Sequence, residues 1–131
     1  MTRPRLINPP TLFEPPGFSH VGVTASRRLV FVAGQAAVNA DFSVAGGDDL
    51  AARTEAAMEN MKVALEAAGA SFEDVISRTV YTLEPTQFEV IAHAMENVTG
   101  PLPHPTQTLI GVTGLAVPGL LIEIDAIACL D

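Results

Sequence analysis

Leu120-Leu121-Ile122-Glu123-Ile124-Asp125-Ala126-Ile127-Ala128 alternates between apolar and acidic side chains over most of its length. Successive side chains of an extended strand point to opposite faces, so Ile122, Ile124, Ala126 and Ala128 share one face while Glu123, Asp125 and Ile127 share the other. Such a strand asks for cover on one side only, and the cover is found earlier in the chain. Leu50, Thr54, Ala57, Met58, Met61, Leu65 and Ala68 recur at helical spacing, with Arg53, Glu55, Glu59, Lys62 and Glu66 largely on the opposite side. Asp48 or Asp49 caps the start of this predicted helix and Gly69 its end. Thr86 and Glu89 form a capping-box pattern ahead of Phe88, Ile91, Ala92, Met95 and Val98, which predicts a second helix running to about Gly100.

The remaining elements are strands. Residues 21–23 and 29–33 are predicted to form a hairpin around Ala25-Ser26-Arg27-Arg28. Ser71 and Asp74 predict a short turn leading into a strand over 76–83, and a further strand is predicted over 108–112. The order β-β-α-β-α-β-β fits an α+β fold, a mixed sheet with two helices packed on one face. If the strands over 108–112 and 120–130 pair as antiparallel neighbours, Gln107 and Glu123 fall roughly opposite each other and line one cleft.

Composition narrows the function classes. With 131 residues one domain is expected over 17–131, and Pro4, Pro9, Pro10, Pro15 and Pro16 make residues 1–16 an extended arm. That arm contains no apolar run, so neither a signal peptide nor a membrane anchor is predicted. Fifteen acidic residues against seven basic ones give a net charge of -8, which repels phosphate backbones and anionic lipid; nucleic acid and membrane are not expected partners. The apolar share of 48% is rich for an isolated chain of this size and points to self-association. The single cysteine, Cys129, reads as a small buried hydrophobe in a reducing, cytoplasmic compartment.

No phosphate-binding loop, dinucleotide fingerprint or nucleophile elbow is present, and His20, His93 and His104 have no metal-ligand spacing, so neither metal nor cofactor is expected. Two positions stand out. His104 lies in a proline-flanked loop and reads either as a partly exposed loop residue or as a pH-sensitive lid group. Glu123 lies between two isoleucines, where a carboxylate is costly unless it faces water, a partner or a ligand.

Four pieces in order then resemble one family: Gly17-Phe18-Ser19-His20, Phe31-Val32-Ala33-Gly34-Gln35, Glu59-Asn60-Met61-Lys62 with Leu65-Glu66-Ala67-Ala68-Gly69, and Ile122-Glu123-Ile124-Asp125-Ala126-Ile127-Ala128. With Asp74-Val75 and Thr79-Val80-Tyr81 they span Gly17 to Ala128 and are similar to the Rid (reactive intermediate deaminase, YjgF-type) family, formerly called endoribonuclease L-PSP. The resemblance implies a chorismate-mutase-like fold assembled as a homotrimer, with small-molecule clefts between subunits and no cofactor. It also implies that Glu123 is the catalytic carboxylate orienting water, with Phe18, Ser19, Gly34, Gln107, Thr108 and Leu109 around the substrate.

The chain departs from that pattern at one position. Where the family places an arginine that grips the substrate carboxylate, Pro105-Thr106-Gln107-Thr108 supplies Gln107, which has neither the charge nor the cationic fork. Ala33 and Leu109 also make the site less polar. The resemblance thus implies a hydrolase for an imine, enamine or carbonyl compound other than the usual carboxylated 2-imino acid, or a non-catalytic binding or sensor protein using the same cleft. Should another basic group serve, Arg53 or Arg78 from a neighbouring subunit is the candidate.

Overall fold

α1 spans Leu50–Ala67, and the Asp49 side chain caps it by accepting from the backbone of Ala51. Its far end turns at Gly69, whose φ of 78° is the left-handed geometry that favours glycine. These features come from a computed structural model that describes residues 3–45, 47–101 and 103–131; Met1, Thr2, Gly46 and Leu102 of the stretches read above lie outside them. The face of α1 carrying Thr54, Ala57, Met58, Met61 and Leu65 is buried, as its spacing predicts. α2 spans Phe88–Thr99 and buries Ile91, Ala94 and Met95. A short 3-10 turn over Pro85–Gln87 precedes it, so the predicted Thr86–Glu89 capping box gives way to a proline-started turn with no side-chain cap at Gln87.

Six strands complete the fold: β1 (Arg5–Ile7), β2 (Val21–Val23), β3 (Arg28–Ala36), β4 (Val75–Thr82), β5 (Thr106–Gly111) and β6 (Ile122–Leu130). The main sheet has the order β3-β6-β4-β5, with β4 and β5 parallel and the other pairs antiparallel. It is a mixed sheet with both helices on one face, as predicted. Ile122, Ile124, Ala126 and Ala128 of β6 lie on that face with Val80 of β4, packed against Met58, Met61 and Leu65 of α1 and against Ile91 and Met95 of α2. At about 25 cal/mol per Å² of apolar surface removed from water, each of these large side chains contributes on the order of 2 kcal/mol.

Two strand pairings differ from expectation. β2 pairs with β1 of the arm rather than forming a hairpin with β3, because a three-residue strand has too little pattern to name its partner and the arm offers an unpaired edge. β5 and β6 are not neighbours: β4 lies between them. The unit β4-α2-β5 places its two strands parallel and adjacent, the arrangement a helical crossover permits. In register, Gln107 faces Arg78, Arg78 faces Ala126, and Glu123 faces Tyr81. Residues paired in register point the same way, so Gln107 lies on the helix face and Glu123 on the open one. The shared cleft expected within one chain is thereby ruled out.

Among the described residues, no helix is long and apolar enough to cross a membrane. No group of three or more His, Cys, Asp or Glu among them is placed to hold a metal ion.

Candidate functional site

The residues singled out in the sequence separate into two groups on opposite faces of the sheet. On the helix side, Phe18, Gln107 and Leu109 line a cleft of about 310 Å³ with Pro16, Pro85 and Phe88. Its walls are apolar apart from the glutamine, the make-up common in small-molecule sites. Phe18 is held there by edge-on contacts with the rings of Phe13 and His20, at centroid distances of 6.1 and 5.6 Å.

Arg78 organises this side. It projects from β4 beside Gln107 and is only 7% exposed, yet no carboxylate among the described residues lies within ion-pair distance of it. Its Nε donates to Gln107 Oε1 at 2.6 Å, and its second nitrogen, NH2, donates to the Gly17 carbonyl at 3.0 Å. Both walls of the cleft are therefore tied to one guanidinium. Burial pushes its pKa down to about 10, which leaves it protonated at neutral pH. Behind it lies a cavity of about 20 Å³, room for one water, between Met58, Phe72, Val75 and the 103–105 loop.

That loop is fastened by Ser19. The Ser19 hydroxyl donates to the His104 carbonyl at 2.5 Å, its N–H donates to the Pro105 carbonyl at 2.9 Å, and the residue is 5% exposed. The hydroxyl is thus engaged by the fold, and Ser19 does not line the cleft. His104 sits 3.4 Å from Glu96 of α2. Its pKa is lowered by burial and by the charge of Arg78, which together outweigh Glu96.

The open face holds the second group. Gly34 falls in a register shift of β3 between Val32 and Gln35, and a Cβ built on it would overlap the Glu123 carboxylate, lying 2.7 Å from its Cδ. Only glycine leaves that space. The Glu123 carboxylate accepts no hydrogen bond from any described residue, whereas Asp125 on the same face accepts from the Thr79 N–H and the Tyr81 hydroxyl, both at 3.1 Å. The hydrogen bond to Asp125 and the negative charge there raise the Tyr81 pKa. Thr108, in register with Thr79, also belongs to this face. On the same face Leu29 and Phe31, opposite Cys129 and Ile127 further along β6, are 52% and 71% exposed.

Of the two alternative bases, Arg53 is committed elsewhere: it donates to the carbonyls of Gly47 and Gly119, the latter at 2.6 Å, and does not line the cleft. Arg78 was legible as a buried-face residue, since it alternates with Val80 and Thr82 in a strand whose other face is polar.

Comparison with known proteins places this geometry. A sequence profile described as endoribonuclease L-PSP matches residues 14–130. The chain is 35% identical to the RutC family protein YjgH of Escherichia coli K12 over 101 residues, covering 76% of this chain and 74% of that one. Its structure is similar to that of YyfB from Yersinia pestis, described as a protein of unknown function of the conserved Rid family, with a TM-score of 0.90, 37% identity, and coverage of 98% and 99%. It is also similar to a member of the YjgF/YER057c/UK114 family from Mycobacterium tuberculosis, with a TM-score of 0.67, 31% identity, and coverage of 82% and 86%.

Proposed function

The chain belongs to the endoribonuclease L-PSP family, which includes the Rid and YjgF proteins, and from that premise we propose that it is a small-molecule hydrolase whose site is completed between chains of a homotrimer. In this reading the open face of one subunit, with Glu123, Gly34 and Thr108, lies against the cleft of the next, with Phe18, Gln107 and Leu109. One observation carries it. The Glu123 carboxylate, against which β3 sets Gly34, accepts no hydrogen bond from any described residue, on a sheet face that further along leaves Leu29 and Phe31 in solvent.

The chemistry follows from the groups. Glu123 accepts a proton from a water and aims its oxygen at the carbon of a C=N bond; the water oxygen bonds to that carbon and the nitrogen takes up the proton. Collapse of the adduct expels ammonia or an amine and leaves a carbonyl. No electrons are exchanged, so no redox cofactor is called for. Gln107 offers the substrate an amide, which supports an uncharged carbonyl-bearing imine over a 2-imino acid. The net charge of -8 speaks against RNA as the substrate despite the family's name.

The test compares ammonia release from a 2-imino acid and from its uncharged amide, alongside light scattering. A trimer is expected, with the amide turned over faster and Glu123→Gln abolishing turnover while leaving the trimer intact. A stable monomer at micromolar concentration, or full activity in Glu123→Gln, would sink the proposal. Stabilisation by such compounds with no product would favour the non-catalytic binder.

A further inference from the structure

We infer that Arg78 is a positioning residue that turns Gln107 into a dedicated hydrogen-bond donor, so that the cleft selects ligands presenting an acceptor and no donor at that point. This deepens the reading above and rests on the cleft being the ligand site, but not on hydrolysis.

A glutamine amide is ambivalent: one end accepts and the other donates, and a freely rotating side chain would serve either kind of ligand. A guanidinium is not ambivalent, because all its N–H groups donate. With Arg78 Nε 2.6 Å from the amide, Gln107 has to direct Oε1 at the arginine, and Nε2 becomes the end left for the cleft. Nε2 has no hydrogen-bond partner among the described residues and is not sealed from solvent. A flip would set Nε2 against Arg78, donor against donor, in a low-dielectric environment where that arrangement is strongly disfavoured.

The orientation is also protected against loss of the arginine's grip. Arg78 is 7% exposed, its NH2 is anchored on the Gly17 carbonyl, and no carboxylate competes for it, so its charge polarises the glutamine amide instead of being neutralised in an ion pair. Around Nε2 the cleft is apolar, with Phe18, Leu109 and Phe88. A ligand donor facing Nε2 there would be buried unpaired, at a cost that translates to about tenfold in affinity.

The experiment uses the full chain and two uncharged five-membered rings, N-methylpyrrolidone, which only accepts, and pyrrole, which only donates through N–H. Both are titrated while the backbone amides of residues 107–109 and the Gln107 side-chain amide are followed by NMR. N-methylpyrrolidone is expected to bind about tenfold more tightly than pyrrole and to shift the Gln107 Nε2 signals. Gln107→Glu should reverse the preference, Arg78→Met should bring the ratio towards unity, and Arg78→Lys, which still donates, should restore it. A purely structural role for Arg78 would not move the ratio. Should Arg78→Met fail to fold, Gln107→Glu decides alone. Equal affinity for the two probes in the natural chain, an unchanged ratio in Gln107→Glu, or no shift of residues 107–109 with either probe would overturn the inference. The ratio should persist in Glu123→Gln, so failure of the hydrolytic reading and failure of this one are told apart.

Discussion

The two faces of strand β6 are built on different terms. On the helix face Ile122, Ile124 and Ala126 are sealed by α1 and α2, and even the buried charge of Arg78 has its hydrogen bonds met inside the chain. On the open face Asp125 is equally well served, but Glu123 one step along accepts from no described residue, and Leu29 and Phe31 stand in solvent. The first face is complete within a single chain. The second leaves large apolar side chains in solvent on the same face as a carboxylate with no described partner, the composition of a surface that meets something else.

The sharpest way to break this contrast is to truncate one residue on each face. Ile124→Ala should lower unfolding stability by about 2–5 kcal/mol in denaturant titration, since it opens a cavity in packed core. Phe31→Ser should change the chain's own stability by less than about 0.5 kcal/mol and instead disperse the oligomer in light scattering. Equal destabilisation by both would mean that the open face is already covered. Gly34→Val comes next. It should displace the Glu123 carboxylate and cost about 1–2 kcal/mol of stability, with turnover lost and the helix-side cleft still binding N-methylpyrrolidone. Retained turnover would detach Glu123 from the chemistry.

The smallest effect is a matter of pH. Burial and Arg78 lower the His104 pKa, so the unfolded chain binds this proton more readily than the folded one. Stability should therefore fall as pH drops through and below the ordinary histidine range, and thermal melts of His104→Gln between pH 7 and 5 should show a shallower decline. A steeper decline in that variant would mean that the Glu96 pairing, which favours the charged form, dominates instead.

Much of this architecture is legible in the sequence itself. The alternation in 122–128 named the buried face of β6 correctly, and the Asp48-Asp49 pair, of which Asp49 is the cap, and Gly69 bounded α1, because capping and periodicity are local and written in adjacent residues. The errors were non-local. A three-residue strand such as β2 has no signature for its partner, and β1 hid in a proline-rich arm where strand signals are suppressed. The placement of β5 beside β6 ignored the helix between β4 and β5, whose length already permitted a parallel crossover. For the candidate site, the unusual Gln107 was visible as a residue, but the guanidinium that fixes it comes from another strand, and only the register of β4 against β5 brings the two together.

The strand order has a consequence for how the protein is made. β6 follows the other described strands in sequence and yet sits in the interior of the sheet, with Arg28 of β3 paired to Leu130 and Thr82 of β4 paired to Ile122. During synthesis β3 therefore waits for a neighbour that has not left the ribosome, with its apolar residues uncovered, and the early helices have half a floor to pack on. Assembly must be late and nearly all at once, a high-contact-order closure rather than a stepwise build. A ribosome that stops before β6 would release not a trimmed protein but a lone β3 and a separate β4-β5 pair, each with a bare edge and prone to pair with the wrong chain.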